Sequence, residues 1–106
     1  MAWYKIAKEG AMKDGDLFKA NIEGREVLLI RDGANYYATS CYCTHEDYDL
    51  SEGFMDDHTL ICPNHFAVFN PKDGSVISPP EGSGDIDPLH SYKTKVENGQ
   101  IMVELP

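Results

Sequence analysis

The chain has 106 residues, 42% of them hydrophobic, and a formal net charge of −9. That length makes one domain, residues 1–106, and leaves no room for a second, larger catalytic one. It also gives a core that is marginal without a covalent or metal staple, while the acidic excess disfavours nucleic acid and anionic membranes as partners.

Short runs rich in Val, Ile, Tyr and Phe alternate with turn dipeptides, which predicts an all-β fold. Residues 3–8 form the first predicted strand and residues 17–22 the second. Glu23-Gly24 turns the chain into residues 25–31, where Val27, Leu28, Leu29 and Ile30 make a buried stretch. Asp32-Gly33 is the next hairpin turn, leading to a strand at 36–40. Residues 43–70 read as a smaller unit with short strands near 54–55, 59–61 and 66–69. It is inserted in a framework of residues 1–42 and 71–106. Asp73-Gly74 turns into a strand at 75–77. Residues 82–88, Gly-Ser-Gly-Asp-Ile-Asp-Pro, are a polar connection with no assigned role. The last hairpin joins 92–97 to 100–105 through Asn98-Gly99, and Ile101 and Val103 alternate with Met102 and Glu104, as one wet face requires.

No stretch approaches the ~20 apolar residues of a membrane span, and the first residues lack the apolar run of a signal peptide. A soluble, cytoplasmic protein is expected. Seven carboxylates (Asp32, Glu46, Asp47, Asp49, Glu52, Asp56, Asp57) lie between Asp32 and Pro71, where no Lys or Arg occurs. Such a face is either plain solvated surface or an electrostatic guide toward basic docking surfaces.

The chemistry sits in Cys43-Thr44-His45 and Cys62-Pro63-Asn64-His65. Each segment offers one thiolate and one imidazole from a tight turn. Two such pairs can aim both sulfurs at one iron and both imidazoles at another, the ligand set of a [2Fe–2S] centre in which two His replace two Cys. The alternative is a four-coordinate zinc in an interaction module, but structural zinc sites more often run Cys-x₂₋₄-Cys and then His-x₃₋₅-His. With Cys43 and Cys62 as ligands, Cys41 has no intramolecular partner, which suits a reducing compartment.

Cys43-Thr44-His45, Leu50-Ser51-Glu52-Gly53 and Cys62-Pro63-x-His65 together resemble the Rieske ferredoxin components of bacterial aromatic-ring-hydroxylating dioxygenases, those of the toluene, biphenyl, naphthalene and carbazole systems. The likeness extends over nearly the whole chain and is most specific in residues 43–70. It implies a Rieske fold, an antiparallel β-sandwich base with a cluster-binding subdomain. It also implies one [2Fe–2S] cluster held by Cys43, His45, Cys62 and His65, and no catalytic residues. The expected role is a monomeric, low-potential carrier passing single electrons from a flavin-containing reductase to a terminal oxygenase. The rival reading is the small Rieske-type subunit of an assimilatory nitrite reductase.

Comparison with high-potential respiratory Rieske proteins implies the low potential. Their loop-clamping disulfide would fall at Tyr48 and Asn64, and their cluster-bonding hydroxyls at Ala67 and Phe69. Hydrogen bonds to the sulfurs stabilise the reduced cluster, so their loss places the potential near the low end of the range of about −150 to +300 mV. Relatives carry a Gly at or just after position 66, where this chain has Phe66-Ala67. Ser78-Pro79-Pro80 resembles the proline loop that covers the cluster. Cys41, His58 and His90 are expected as packing or surface residues. Phe66 and Phe69 are expected to shield the cluster and pack, and Trp3 and the six tyrosines to fill core and edge positions.

Overall fold

The computed structural model describes residues 2–44, 48–82 and 84–106. Its elements are β1 (Ala2–Lys8), β2 (Leu17–Ile22), β3 (Arg25–Asp32), β4 (Asn35–Ser40), a 3₁₀ turn (Leu50–Glu52), β5 (Phe54–Asp56), β6 (Thr59–Ile61), β7 (Val68–Phe69), β8 (Val76–Ser78), β9 (Ser91–Tyr92), β10 (Thr94–Glu97) and β11 (Gln100–Leu105). The fold is nearly all β, with three antiparallel sheets ordered β1-β11-β10, β2-β3-β4-β9 and β5-β6-β7-β8.

The middle sheet has both faces covered, and β3 shows why. Val27, Leu28, Leu29 and Ile30 are each fully buried, yet alternate residues of a strand point to opposite sides. Val27 packs with Ala38, Val103 and Leu105, and Leu29 with Met12 and Ile101, so the odd positions join the β2-β3-β4-β9 sheet to the β1-β11-β10 sheet. Leu28 and Ile30 face the other way, onto Leu50, Leu60, Phe69, Leu89 and all three cysteines. Burying each such side chain stabilises the fold by about 1.5–3 kcal/mol.

Turn chemistry sets the strand registers. Glu23-Gly24, Asp57-His58 and Asn98-Gly99 each place two consecutive residues at positive φ, the type I′ geometry that matches the twist of a two-residue hairpin. The β3–β4 turn differs by one residue from the Asp32-Gly33 expected. Asp32 pairs with Asn35, so the loop is Gly33-Ala34.

Three predicted strands are redrawn. The one expected at 66–69 shortens to Val68–Phe69, because His65 and Phe66 sit at φ 70° and 59° and cannot extend the ladder. The one expected at 92–97 breaks at Lys93. Ser91–Tyr92 pairs with β4, whereas Thr94–Glu97 pairs with β11, so the chain changes sheets there. Thr94 Oγ1 donates to the Tyr36 carbonyl at 2.6 Å, and Glu104 N–H donates to the Lys93 carbonyl at 2.9 Å, pinning the crossing. The third is β8, which starts and ends one residue later than expected; it pairs with β7, so the small sheet reaches beyond residue 70.

Candidate metal centre

Two loops and a proline segment converge beside the core face of β3. The first loop leaves β4 at Cys41 and returns into the 3₁₀ turn. Its base is closed by Leu50 N–H donating to the Cys41 carbonyl and Cys43 N–H donating to the Tyr48 carbonyl, both at 2.8 Å, around a Tyr42–Asp49 bridge. The second loop follows β6. Cys62 N–H donates to the Ala67 carbonyl at 2.9 Å, so the segment between them folds back on itself. His65 and Phe66 turn it through left-handed backbone.

Cys43 and Cys62 are 1% and 0% exposed and belong to one packed cluster, so both sulfurs are delivered to the interior from separate loops. Neither is in a disulfide. His65, by contrast, is exposed. His45 lies outside the described residues, as do Glu46 and Asp47. Among the described residues, no three of His, Cys, Asp and Glu gather as a single ion would need. Two enclosed thiols with an imidazole donor at the surface fit a cluster whose thiolate side is inward.

The covering segment is tied to this site. Pro80 is fully buried, and Glu81 N–H donates to the His65 carbonyl at 2.8 Å. Thr44 Oγ1 donates to the Asp87 carbonyl at 2.5 Å, so the first loop is tied to the polar connection at Asp87. Leu89 N–H donates to the Gly74 carbonyl at 2.8 Å and carries the chain back into the core.

Cys41 is 1% exposed and packs in the same cluster. Burial first, and then the Asp49 carboxylate, push its thiol up to about 12, so it stays protonated at neutral pH. Its Sγ lies 3.5 Å from Asp49 Oδ1. His58 is at the surface, its Nδ1 2.7 Å from Asp32 Oδ1. The Asp32 carboxylate holds that imidazole above its ordinary pKa. His90 is also exposed.

Phe69 is wholly buried and packs in the core, as expected, whereas Phe66 is 53% exposed and lacks the packing expected of it. Its backbone explains this, since a left-handed residue at the loop tip throws its side chain outward. The same φ is one that glycine adopts without strain. Trp3 and Tyr42 lie at 36% and 39% exposure, and no tyrosine is fully buried. Tyr4, Tyr36, Tyr37, Tyr48 and Tyr92 are half-buried against the core clusters, and Trp3 and Tyr42 lie at the edge, in line with the core and edge positions expected.

Asp49 is the residue that sequence reasoning missed. Its carboxylate accepts from Ser51 N–H at 2.9 Å, from Ser51 Oγ at 2.7 Å and from Lys19 Nζ on β2 at 2.5 Å. Partial burial opposes its charge, but Lys19 and Ser51 outweigh that and hold it at about 2. A signal was present: Asp49-Leu50-Ser51-Glu52 has the Asp-x-x-Glu spacing of a helix N-cap.

The Rieske [2Fe-2S] domain family matches residues 2–96, and the chain belongs to that family. More particularly, it is 29% identical to the ferredoxin component of biphenyl 2,3-dioxygenase from Rhodococcus jostii (strain RHA1), over 99% of this chain and 94% of that one. It is 37% identical, over 76% of this chain and 73% of the relative, to the ferredoxin subunit of 3-phenylpropionate/cinnamic acid dioxygenase from Escherichia coli (strain K12). Among solved structures, the ferredoxin of carbazole 1,9a-dioxygenase from Nocardioides aromaticivorans IC177 superposes with a TM-score of 0.85. That match has 25% identity and covers 97% of each chain. A ferredoxin described in complex with the oxygenase of carbazole 1,9a-dioxygenase superposes with a TM-score of 0.84 at 29% identity, covering 95% of this chain and 100% of that one. Among the described residues no helix is long and apolar enough to cross a membrane.

Proposed function

We propose that this protein is the electron carrier of an aromatic-ring-hydroxylating dioxygenase system, taking single electrons from a flavin-containing reductase and delivering them to a terminal oxygenase. Cys43 and Cys62 hold the inner iron of one [2Fe–2S] cluster, and His45 and His65 hold the outer one. When bound, the cluster supplies a one-electron couple, and the chain itself performs no catalysis. The observation that carries this reading is the placement of Cys43 and Cys62, neither in a disulfide, in one buried cluster while His65 reaches the surface. Electrons then enter and leave on the imidazole side, where a partner can approach.

The remaining features suit that role. None of Cys41, Cys43 and Cys62 is in a disulfide, so no disulfide clamps the loops, and Ala67 and Phe69 are buried apolar residues where hydroxyl donors would raise the potential. The carboxylates of residues 32–57 suit basic docking surfaces on the partners, which raises encounter rates more than affinity. A monomer in the cytoplasm fits a diffusing carrier.

Protein purified without oxygen is expected to contain two irons and two acid-labile sulfides, to be red-brown, and to give a rhombic EPR signal on reduction. Protein-film voltammetry is expected to give a potential well below zero, and turnover with a reductase and oxygenase pair to require this chain. Colourless protein, or His65→Ala with an unchanged visible spectrum, would overturn the ligand assignment. Stable co-purification with a large flavin- and haem-bearing partner would overturn the role as a diffusing carrier.

A further inference from the structure

The first ligand loop is closed at its base by backbone bonds, and Thr44 ties it to the Asp87 carbonyl; Cys41 and Cys43 are in no disulfide. A second side chain, that of Asp49, ties the foot of the loop to the sandwich. Asp49 sits across the β-bridge from Tyr42, next in sequence to Cys43. It reaches the root of the loop through Cys41 Sγ, the exit of the loop through both donors of Ser51, and the sandwich through Lys19. Lys19 lies on β2, thirty residues away in sequence, and also stands 6.0 Å from the Tyr42 ring. This is a tie between the base and the ligand loop.

The tie is also a matched charge pair. Between Asp32 and Pro71 the chain has seven carboxylates and no Lys or Arg. Lys19 therefore brings a cation from outside the segment to the carboxylate at the foot of the loop. The two side chains are 37% and 25% exposed, so solvent screens them only in part. Reduction adds one electron to the centre. A bare carboxylate nearby makes that addition harder, and an ammonium held against it offsets the effect.

We infer that Asp49 is a positioning residue for the Cys43 loop, and that its pairing with Lys19 trims the potential of the centre; this rests on the ligand assignment proposed above. Mechanical and electrostatic roles make different forecasts. Lys19→Met keeps most of the aliphatic stem and removes the cation, leaving Asp49 uncompensated, so the potential falls. Asp49→Asn keeps an acceptor for Ser51 and removes the anion, leaving Lys19 uncompensated, so the potential rises. The double variant restores charge balance and returns the potential toward that of the parent. Simple loosening of the loop would shift all three in the same direction.

The test is film voltammetry and EPR on the four proteins, each with measured iron and sulfide, plus iron release to a chelator for Asp49→Ala. Opposite shifts in the two single variants, cancelling in the double, support the electrostatic role. Release from Asp49→Ala about 10-fold faster or more, the scale for removing a residue that orients a metal ligand, supports the positioning role. Shifts of one sign, or none, overturn the first, and unchanged release overturns the second. A parent protein without iron would instead strike the ligand assignment itself, so the two failures are distinguishable.

Discussion

Replacing Gly99, Gly53 and Gly74 by alanine, one at a time, separates the two costs this fold imposes at its tight turns. Gly99 sits at φ 74° with nothing within 4 Å of a built Cβ, so alanine there meets only backbone strain. A left-handed residue with a Cβ costs roughly 1–2 kcal/mol, and the stiffer unfolded chain returns about 0.4–1 kcal/mol. A net loss near 1 kcal/mol follows. Gly53 has an ordinary φ of −83°, but its Cβ would lie 2.4 Å from the Ile61 carbonyl oxygen and 3.1 Å from that of Leu50. Backbone must give way there, and overpacking of this kind costs typically 1–3 kcal/mol. Gly74 combines both, with φ 78° and a Cβ 2.3 Å from the Leu89 carbonyl oxygen. Its loss is expected at about 2–5 kcal/mol by adding the strain and the clash. At roughly 4–8 °C per kcal/mol for a domain of this size, the apparent midpoint of thermal unfolding should drop mildly for Gly99→Ala and most for Gly74→Ala. Circular dichroism of the cluster-loaded protein, recorded with its visible absorbance, provides the ladder. Gly74→Ala no less stable than Gly99→Ala would refute the steric half of this reasoning. Gly53→Ala as stable as the parent would refute it at the ligand loop itself.

Phe66→Gly should stabilise the fold by about 0.5–1 kcal/mol, since it removes left-handed strain at an exposed side chain and gives back only the entropy of a freer unfolded chain; a lower unfolding midpoint would contradict this. The His58–Asp32 contact should titrate. The folded imidazole is raised, so its contribution is fully present below the unfolded pKa near 6.5 and is lost as pH rises through the folded value. NMR of the His58 ring should show its midpoint fall toward the ordinary value in Asp32→Asn, and no change there would remove Asp32 as the cause. Asp49 has the opposite sign. Its folded pKa lies at about 2, below the ordinary 3.8, so its contribution holds above that upper value and fades as pH drops toward the lower one. Lys19→Met should therefore lose its visible absorbance at a higher pH than the parent in an acid titration, and coincident curves would count against the tie.

Much of this fold is written locally. The hairpin at Asn98-Gly99 and the run Val27–Ile30 announce themselves because their signals lie in adjacent residues, and the structure places a type I′ turn and a fully buried strand there. Asp57-His58 takes the same turn without glycine, so composition alone could not mark it as one. The sheet change at Lys93 was hidden for a different reason. Residues 92–97 read as one strand, and only Tyr36 and the Lys93–Glu104 contact, far away in sequence, decide where the chain must cross. At the metal centre the cysteine and histidine spacing was plain, whereas Lys19–Asp49 and Thr44–Asp87 link residues 30 and 43 positions apart. Long polar ties leave no periodicity, and the N-cap spacing at Asp49 was their one visible trace.

The register of β3 connects these observations to the site. Its four central residues are all large and apolar, so a slip by one position would still bury hydrophobic surface on both sides of the sheet. Hydrophobic patterning alone therefore specifies this strand weakly, unlike a strand with one wet face. What holds Leu28 and Ile30, rather than Val27 and Leu29, against Cys41, Cys43 and Cys62 is turn geometry at both ends. Glu23-Gly24 fixes Ile22 opposite Arg25, and Gly33-Ala34 fixes Asp32 opposite Asn35. Gly33, at φ 62°, occupies the first central position that a type II′ turn reserves for glycine. Lengthening either loop by one residue would trade the β3 side chains between the two cores, and the floor beneath the thiols would change shape while the composition of the interior stayed the same.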